Sequence, residues 1–199
     1  MTINMNIIYT RRSIRKFRPD PVPEDSTRRL LEAANAAPSA HNTRPWRFVV
    51  LRDADERRLL AEGMAAAYAR DARADGMDPE KIRSRNEHSV ERITGAPLAI
   101  LACMDEACVP ENSGRSTEGE RLLLTQSVAA AVENLLLAAA DEKLGACWLC
   151  APAFCPQSVA ATLVLPKNWI AQALILIGVP AETPAKPNGH TLDEVVQWR

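Results

Sequence analysis

Two short segments of this sequence carry residue types whose spacing could do chemistry. The first is Arg11-Arg12-Ser13-Ile14-Arg15-Lys16-Phe17, where guanidinium forks and a hydroxyl fall within five residues. Guanidinium groups grip phosphate through paired N–H bonds, so the run suits a terminal phosphate. A solvated basic face is the competing reading, because runs of like charge are common on surfaces. The second is Ala37-Pro38-Ser39-Ala40-His41-Asn42-Thr43-Arg44-Pro45-Trp46, a polar turn leading from a helix end into an apolar strand. Loops at such junctions carry function out of proportion to their length. Ser39, Asn42 and the backbone amides could hydrogen-bond the heteroatoms of a flat ring, with Pro45 and Trp46 fixing the entry into the strand. Taken alone, His41 reads first as a turn residue facing solvent.

The cysteines carry less. Cys103, Cys108, Cys147, Cys150 and Cys155 are odd in number and irregularly spaced, so free thiols are expected. Cys147 and Cys150 form a C-x-x-C, but no second pair or histidine follows closely, and no metal or redox centre is expected there.

Lys plus Arg (24) nearly balance Asp plus Glu (25), and the net charge of -1 argues against general nucleic-acid binding. A local anion site survives that balance, since five basic residues lie between Arg11 and Arg18. At 199 residues, 47% hydrophobic, the chain can bury a core without disulfides, and one domain over 1-199 is expected. No charged-then-apolar leader opens it, which gives the expectation of a cytoplasmic protein. The longest apolar stretch, Leu122 to Leu144, contains Gln126, Glu133, Asn134, Asp141, Glu142 and Lys143, which a lipid-exposed span would not carry together. It reads as a core helix, and no membrane partner is expected.

The elements that must position the two segments follow from periodicity and punctuation. A short helix is expected from Asn6 to Thr10, and a second from Glu24 to about Ala36, stopped by Pro38. Arg47 to Arg52 and Leu98 to Met104 read as buried strands. Between them, Asp53 starts a helix running to about Ala74, and Pro79 restarts a polar one to about Thr94; this middle segment looks surface-like. Glu118 to Lys143 is the long helix, Ala146 to Leu149 a short strand, Pro156 to about Leu163 a helix, and Ala171 to Gly178 a fourth strand. The last twenty residues read as Pro-rich and extended. Helices alternating with strands imply an α+β or α/β sandwich. A central helix apolar on all sides needs cover on all sides, either from a second subunit or from its own.

Together the two segments resemble the nitroreductase superfamily, whose R-R-S-x-R-x-F and S-x-x-N-x-x-P-W signatures stand here at Arg11 to Phe17 and Ser39 to Trp46. The resemblance continues through Leu144-Gly145-Ala146-Cys147-Trp148-Leu149 and through Pro166 to Gly178, the family's final strand. It implies an α+β three-layer sandwich, a mixed β-sheet flanked by helices, in an intertwined homodimer with FMN as cofactor. It places Arg11, Arg12, Ser13 and Arg15 on the FMN phosphate and ribityl chain. It brings Pro38, Ser39 and Asn42, with His41, to the isoalloxazine from the neighbouring subunit. It passes the backbone of Leu149, Cys150 and Ala151 over the ring, with Cys150 standing where relatives often have Gly. Lys186 is the best-placed basic residue after the last strand to complete the phosphate site.

Many members have Gln where this chain has Arg44, which points to a subgroup. With the middle helices, Arg44 resembles the C-terminal FMN-binding domain of bifunctional coenzyme F-420 gamma-glutamyl ligases, here expected without a ligase domain. In that branch the domain is similar to a reductase of a dehydro precursor of the deazaflavin coenzyme. Arg44 and Asp71 would then meet the substrate; a solvated helix carboxylate beside Arg70 and Arg73 is the equal alternative for Asp71. The resemblance implies no catalytic side chain of its own. It implies ping-pong transfer of hydride from NAD(P)H to a small planar acceptor such as a nitroaromatic or quinone. A non-catalytic flavin-binding protein is the alternative from another class.

Overall fold

The computed structural model describes residues 6–109, 117–185 and 189–199. Helix α1 (Asn6–Thr10) precedes the basic segment, and α2 (Glu24–Asn35) follows it with Glu24 and Asp25 in its first turn, where negative charge complements the helix dipole. Strand β1 is Trp46–Leu51. Asp53 caps α3 (Ala54–Ala74) by accepting from the N–H groups of Asp55 and Glu56, and Asp78 caps α4 (Pro79–Thr94) in the same way. Then come β2 (Leu98–Asp105), the long α5 (Thr117–Asp141), β3 (Gly145–Leu149), a single turn α6 (Ala151–Phe154), α7 (Pro156–Leu163) and β4 (Trp169–Gly178).

The strands lie in the order β1-β2-β4-β3, and every neighbouring pair is antiparallel. Among the described residues, the parallel component of the expected mixed sheet is a single bridge, Ser13 to Ala146. Alternation along the strands sorts the core into two layers. Leu98, Ile100, Ala102 and Met104 of β2 join Ile175 and Ile177 of β4 under α2 and α5. Ala99, Leu101 and Cys103 join Leu174 and Leu176 under α3 and α7. All eight β2 residues are buried because helices cover both faces. A bulge at Gln172 shifts the register beside Ala102 and Cys103, so Ala171 and Ala173 enter opposite layers.

Helix α5 is the one described helix long and apolar enough to cross a membrane, but nine of its residues, including Leu124, Val128, Leu135 and Ala139, are buried in the protein core. The middle segment is less surface-like than its composition implies. α3 buries Leu60, Ala61, Met64 and Ala67, and the small alanines that let it approach the sheet also mute its apolar signal. The tail expected to be extended contains a short helix, α8 (Leu192–Val195), started by a capping box between Thr191 and Glu194.

All five cysteines are free thiols, and the C-x-x-C does not form a pair of equivalent groups: Cys147 is buried in the layer under α3, whereas Cys150 is exposed. Among the described residues no cluster could hold a metal ion. Burial pushes the Cys103 thiol from the ordinary value of 9.0 up to about 12, and pushes Cys147 and Cys155 in the same direction. Since the unfolded chain releases the Cys103 proton at lower pH than the folded one, the stability held by the neutral thiol is complete below pH 9 and is lost as pH rises toward about 12. The urea midpoint should therefore fall more steeply above pH 9 in the parent protein than in Cys103→Ala. Superimposable slopes would contradict this.

Candidate functional site

The basic segment runs along the β3 edge of the sheet. Ile14 N–H donates to the Ala146 carbonyl (3.0 Å), Arg18 N–H to Val179 (2.8 Å), and Ala181 N–H to the Lys16 carbonyl (3.0 Å). Two glycines make room for it. Gly145 and Gly178 face each other in register, and a Cβ on Gly145 would stand 2.8 Å from Ile14 Cβ, while one on Gly178 would stand 2.6 Å from Pro97 Cγ and 3.1 Å from Phe17 Cβ. The buried Ile14 thus seats the arginines on either side of it.

Beside this seam lies a cleft of about 220 Å³ whose lining includes Arg11, Arg12 and Lys143, with Glu182 as its only acid among the described residues. Arg12 Nη1 donates to the carbonyls of Tyr9 (2.9 Å) and Arg11 (2.7 Å), and Arg15 Nη1 to the carbonyl of Ser13 (3.3 Å). The Arg15 N–H donates to Glu182 Oε1 at 3.0 Å. Arg11 Nε lies 3.6 Å from Glu133. Among the described residues neither the Arg12 nor the Arg15 guanidinium has a carboxylate partner, so both retain charge and donors for an anion. Spacing alone puts Lys143 within the long helix expected from Glu118 to Lys143. The helix ends earlier, and Lys143 sits at φ 60°, a left-handed position just beyond its end. Lys186 lies outside the described residues.

The second segment folds into a tight turn at the start of β1. His41, Asn42 and Arg44 have φ of 51°, 56° and 46°. Such non-glycine residues persist only where their surroundings hold them. Ser39 Oγ accepts from Arg44 N–H (3.0 Å), Arg44 Nε donates to Asn42 Oδ1 (3.3 Å), and Ala40 N–H reaches Ser127 Oγ on α5 (3.1 Å). The side chains of His41, Asn42 and Arg44 are exposed, Pro38 precedes them on the surface, and Ser39 is half-buried.

Leu149, Cys150 and Ala151 lie at the far end of β3 from Ala146, where Ala151 lines a larger cleft of about 770 Å³. α3 supplies Tyr68 and Asp71 to its wall, α4 supplies Arg85 and Arg92, and α6 supplies Ala151 and the exposed Phe154. Arg85 Nη1 donates to Tyr68 Oη (2.9 Å), and its guanidinium carbon lies 5.9 Å from the Tyr68 ring centroid. Asp71 lines the cleft and also pairs with Arg70 at 3.0 Å. Tyr68 with Arg85, and Phe154, had no spacing signal to mark them as one wall.

Within one subunit the turn and the basic segment stay apart. Trp46 pairs with Met104 and Met104 with Ile170, whereas Ala146 pairs with Ile177, so the two segments occupy opposite edges and opposite ends of the sheet. At about 3.3 Å per residue and about 4.8 Å per strand, their backbones are roughly 25 Å apart. Along the axis of α5, Ser127, which bonds to the turn, lies roughly 14 Å from Leu136 and roughly 20 Å from Ala140, which line the basic cleft.

The model of the Nitroreductase family matches residues 8–179. The chain is 35% identical over 204 residues to an NADH dehydrogenase of Thermus thermophilus, covering 95% of this chain and 92% of the relative. It is 34% identical over 174 residues to 5,6-dimethylbenzimidazole synthase of Rhodospirillum rubrum, covering 86% of this chain and 79% of the relative. Among solved structures, one described as a nitroreductase in complex with FMN, from Desulfovibrio desulfuricans, superposes at TM-score 0.76 with 28% identity, covering 100% of this chain and 98% of the other. A BluB-like flavoprotein from Clostridium difficile 630 superposes at TM-score 0.84 over the whole of both chains, and at 23% identity it shows a shared fold.

Proposed function

The chain belongs to the nitroreductase family, and from that premise we propose that it is an FMN-dependent oxidoreductase, a homodimer that carries hydride from NAD(P)H to a planar conjugated acceptor such as a nitroaromatic or quinone. The observation that carries this reading is the arrangement along β3, with a cation-lined cleft at Ala146 and a wider, partly apolar cleft at Ala151. The donor set fits a flavin mononucleotide: charge where a phosphate needs it, and an edge strand of backbone leading to room for a ring.

Arg11, Arg12, Ser13 and Arg15 hold the phosphate end in this proposal, joined by Lys143. Backbone groups of Leu149, Cys150 and Ala151 meet the ring. In this proposal the Pro38, Ser39, His41 and Asn42 turn, which lies on the opposite edge of the sheet from the basic segment, serves the flavin site of the second copy. Bound FMN supplies the hydride chemistry, and the protein supplies orientation and exclusion of water. Donor and acceptor use the wide cleft in turn, with Asp71 and Arg44 as contacts to whichever substrate is present.

Asp71 on the cleft wall also favours a narrower reading, reduction of a deazaflavin precursor. Anaerobic turnover with NADH, NADPH and a panel of nitroaromatic, quinone and deazaflavin acceptors separates the two, since only the narrower one requires strong preference for the deazaflavin skeleton. Formation of 5,6-dimethylbenzimidazole would move the chain to the group of its Rhodospirillum relative. Firm FMN binding with no turnover would leave a flavin-binding protein. A colourless protein that takes up no FMN would overturn every version. Within the phosphate assignment, Lys143→Ala should weaken FMN binding about tenfold, as expected for loss of one charged hydrogen bond, and Lys143→Arg should retain it. Equal affinity in parent and Lys143→Ala, by flavin fluorescence titration, would remove Lys143 from the site.

A further inference from the structure

Beta strand β1 is apolar at every position except one, Arg47. Its side chain meets a carboxylate, Asp105, that is only 5% exposed, with Arg47 Nη2 2.6 Å from Asp105 Oδ2. The other carboxylate oxygen accepts from Ala107 N–H (3.0 Å) and from the Asn168 side-chain amide. Backbone bonds tie the same corner together: Asp105 N–H donates to Pro45 (2.8 Å) and Glu106 N–H to Asn168 (2.7 Å). From this anchored carboxylate the guanidinium reaches the other way. Arg47 Nη1 donates to the carbonyl of Arg44 (3.2 Å) and to that of Trp46 (2.8 Å).

Arg44 is the last of the three left-handed residues, and its N–H closes the turn onto Ser39 Oγ. The turn is therefore held from outside at two points, by Ser127 of α5 near its start and by Arg47 at its end. The pair is a poor source of net stability, because the Arg47 side chain is 35% exposed and solvent screens the attraction while the Asp105 carboxylate is desolvated. What it does supply is fixed geometry for a strained turn whose exposed side chains face outward. We propose that Arg47 and Asp105 are positioning residues, a strut that holds Ser39, His41 and Asn42 in the shape that meets the flavin ring of the second copy. The proposal rests on the assignment of that turn to the flavin site.

The test uses the full-length protein and FMN itself. Arg47→Met removes the fork, Asp105→Asn removes the charge with little change of shape, and Arg47→Lys keeps the charge without the fork. Ser39→Ala and Asn42→Ala probe the turn directly, and Leu60→Ala, in the core layer under α3, lowers stability without altering a residue of the turn or the strut. FMN affinity, the midpoint potential of bound flavin and the urea midpoint are measured for each. The strut variants should bind FMN at least tenfold more weakly and shift its potential, with Arg47→Lys between Arg47→Met and the parent. Leu60→Ala should lose stability while keeping affinity within twofold and potential unchanged. If Ser39→Ala or Asn42→Ala weakens FMN binding and Arg47→Met and Asp105→Asn do not, the strut is wrong and the flavin-site assignment stands. If none of the four changes affinity or potential, the assignment of the turn to the flavin falls, and the strut with it. Should Arg47→Met fail to fold, Asp105→Asn and Arg47→Lys decide the matter by the same readouts.

Discussion

Replacing both Arg12 and Arg15 by alanine should yield a folded protein that has lost its FMN. A charged hydrogen bond is worth about 1.5–3 kcal/mol, so each replacement alone should weaken FMN binding roughly 10- to 150-fold. Because the two side chains flank Ser13 and would converge on one phosphate, the effects should not simply add. Stability should change little. Neither guanidinium has a carboxylate partner among the described residues, Arg15 is exposed, and the bonds that Arg12 gives up are to carbonyls beside solvent. Fluorescence titration with FMN gives the affinity, and a urea curve without flavin shows that the fold persists. High salt should weaken the parent more than the double variant, since the lost groups carry the screened part of the attraction. Undiminished flavin retention in the double variant would remove the phosphate from this cleft.

The second large effect concerns the seam that carries those arginines. In Gly178→Ala the new methyl group would meet Pro97 Cγ at 2.6 Å and Cδ at 2.7 Å, and a proline ring cannot rotate away. The cost should be about 1–3 kcal/mol of stability. In Gly145→Ala the clash is with Ile14 Cβ at 2.8 Å, and relief requires the basic segment to lift from Ala146. That variant should therefore lose stability and FMN affinity together. Thermal and urea unfolding measure the first, and titration the second. If Gly145→Ala binds FMN as the parent does, the segment is not held by that contact.

The second prediction depends on a feature that spacing alone does not expose. The strand carrying Gly145 and the helix at Pro156–Leu163 were legible because Gly and Pro punctuate them. Leu98–Asp105 was legible because a strand covered on both faces reads as an unbroken apolar run. The partnership of Gly145 with Ile14, by contrast, joins residues distant in the chain. So does the contact of Asp105 with Asn168, 63 residues away. Such pairings leave no periodic trace. Lys143 was hidden differently, since the next helix-stopping residue, Gly145, lies four positions past the true end of α5 at Asp141. The α8 turn was readable in principle, because Thr191 and Glu194 have capping-box spacing, but the neighbouring prolines dominated the reading.

The proposed site draws on two segments that lie on opposite edges of one subunit's sheet. A mixed dimer tests this most directly. One subunit carries Arg12→Ala and Arg15→Ala with an intact turn, and the other carries Ser39→Ala and Asn42→Ala with an intact basic cleft. Each variant dimer alone should bind FMN poorly and show little NADH oxidation. In the mixed dimer one site combines the two intact halves, so flavin binding and NADH-dependent acceptor reduction should return at that site alone. Mixed dimers as inactive and as flavin-poor as their parents would show that each subunit builds its site from its own residues, and would contradict the account.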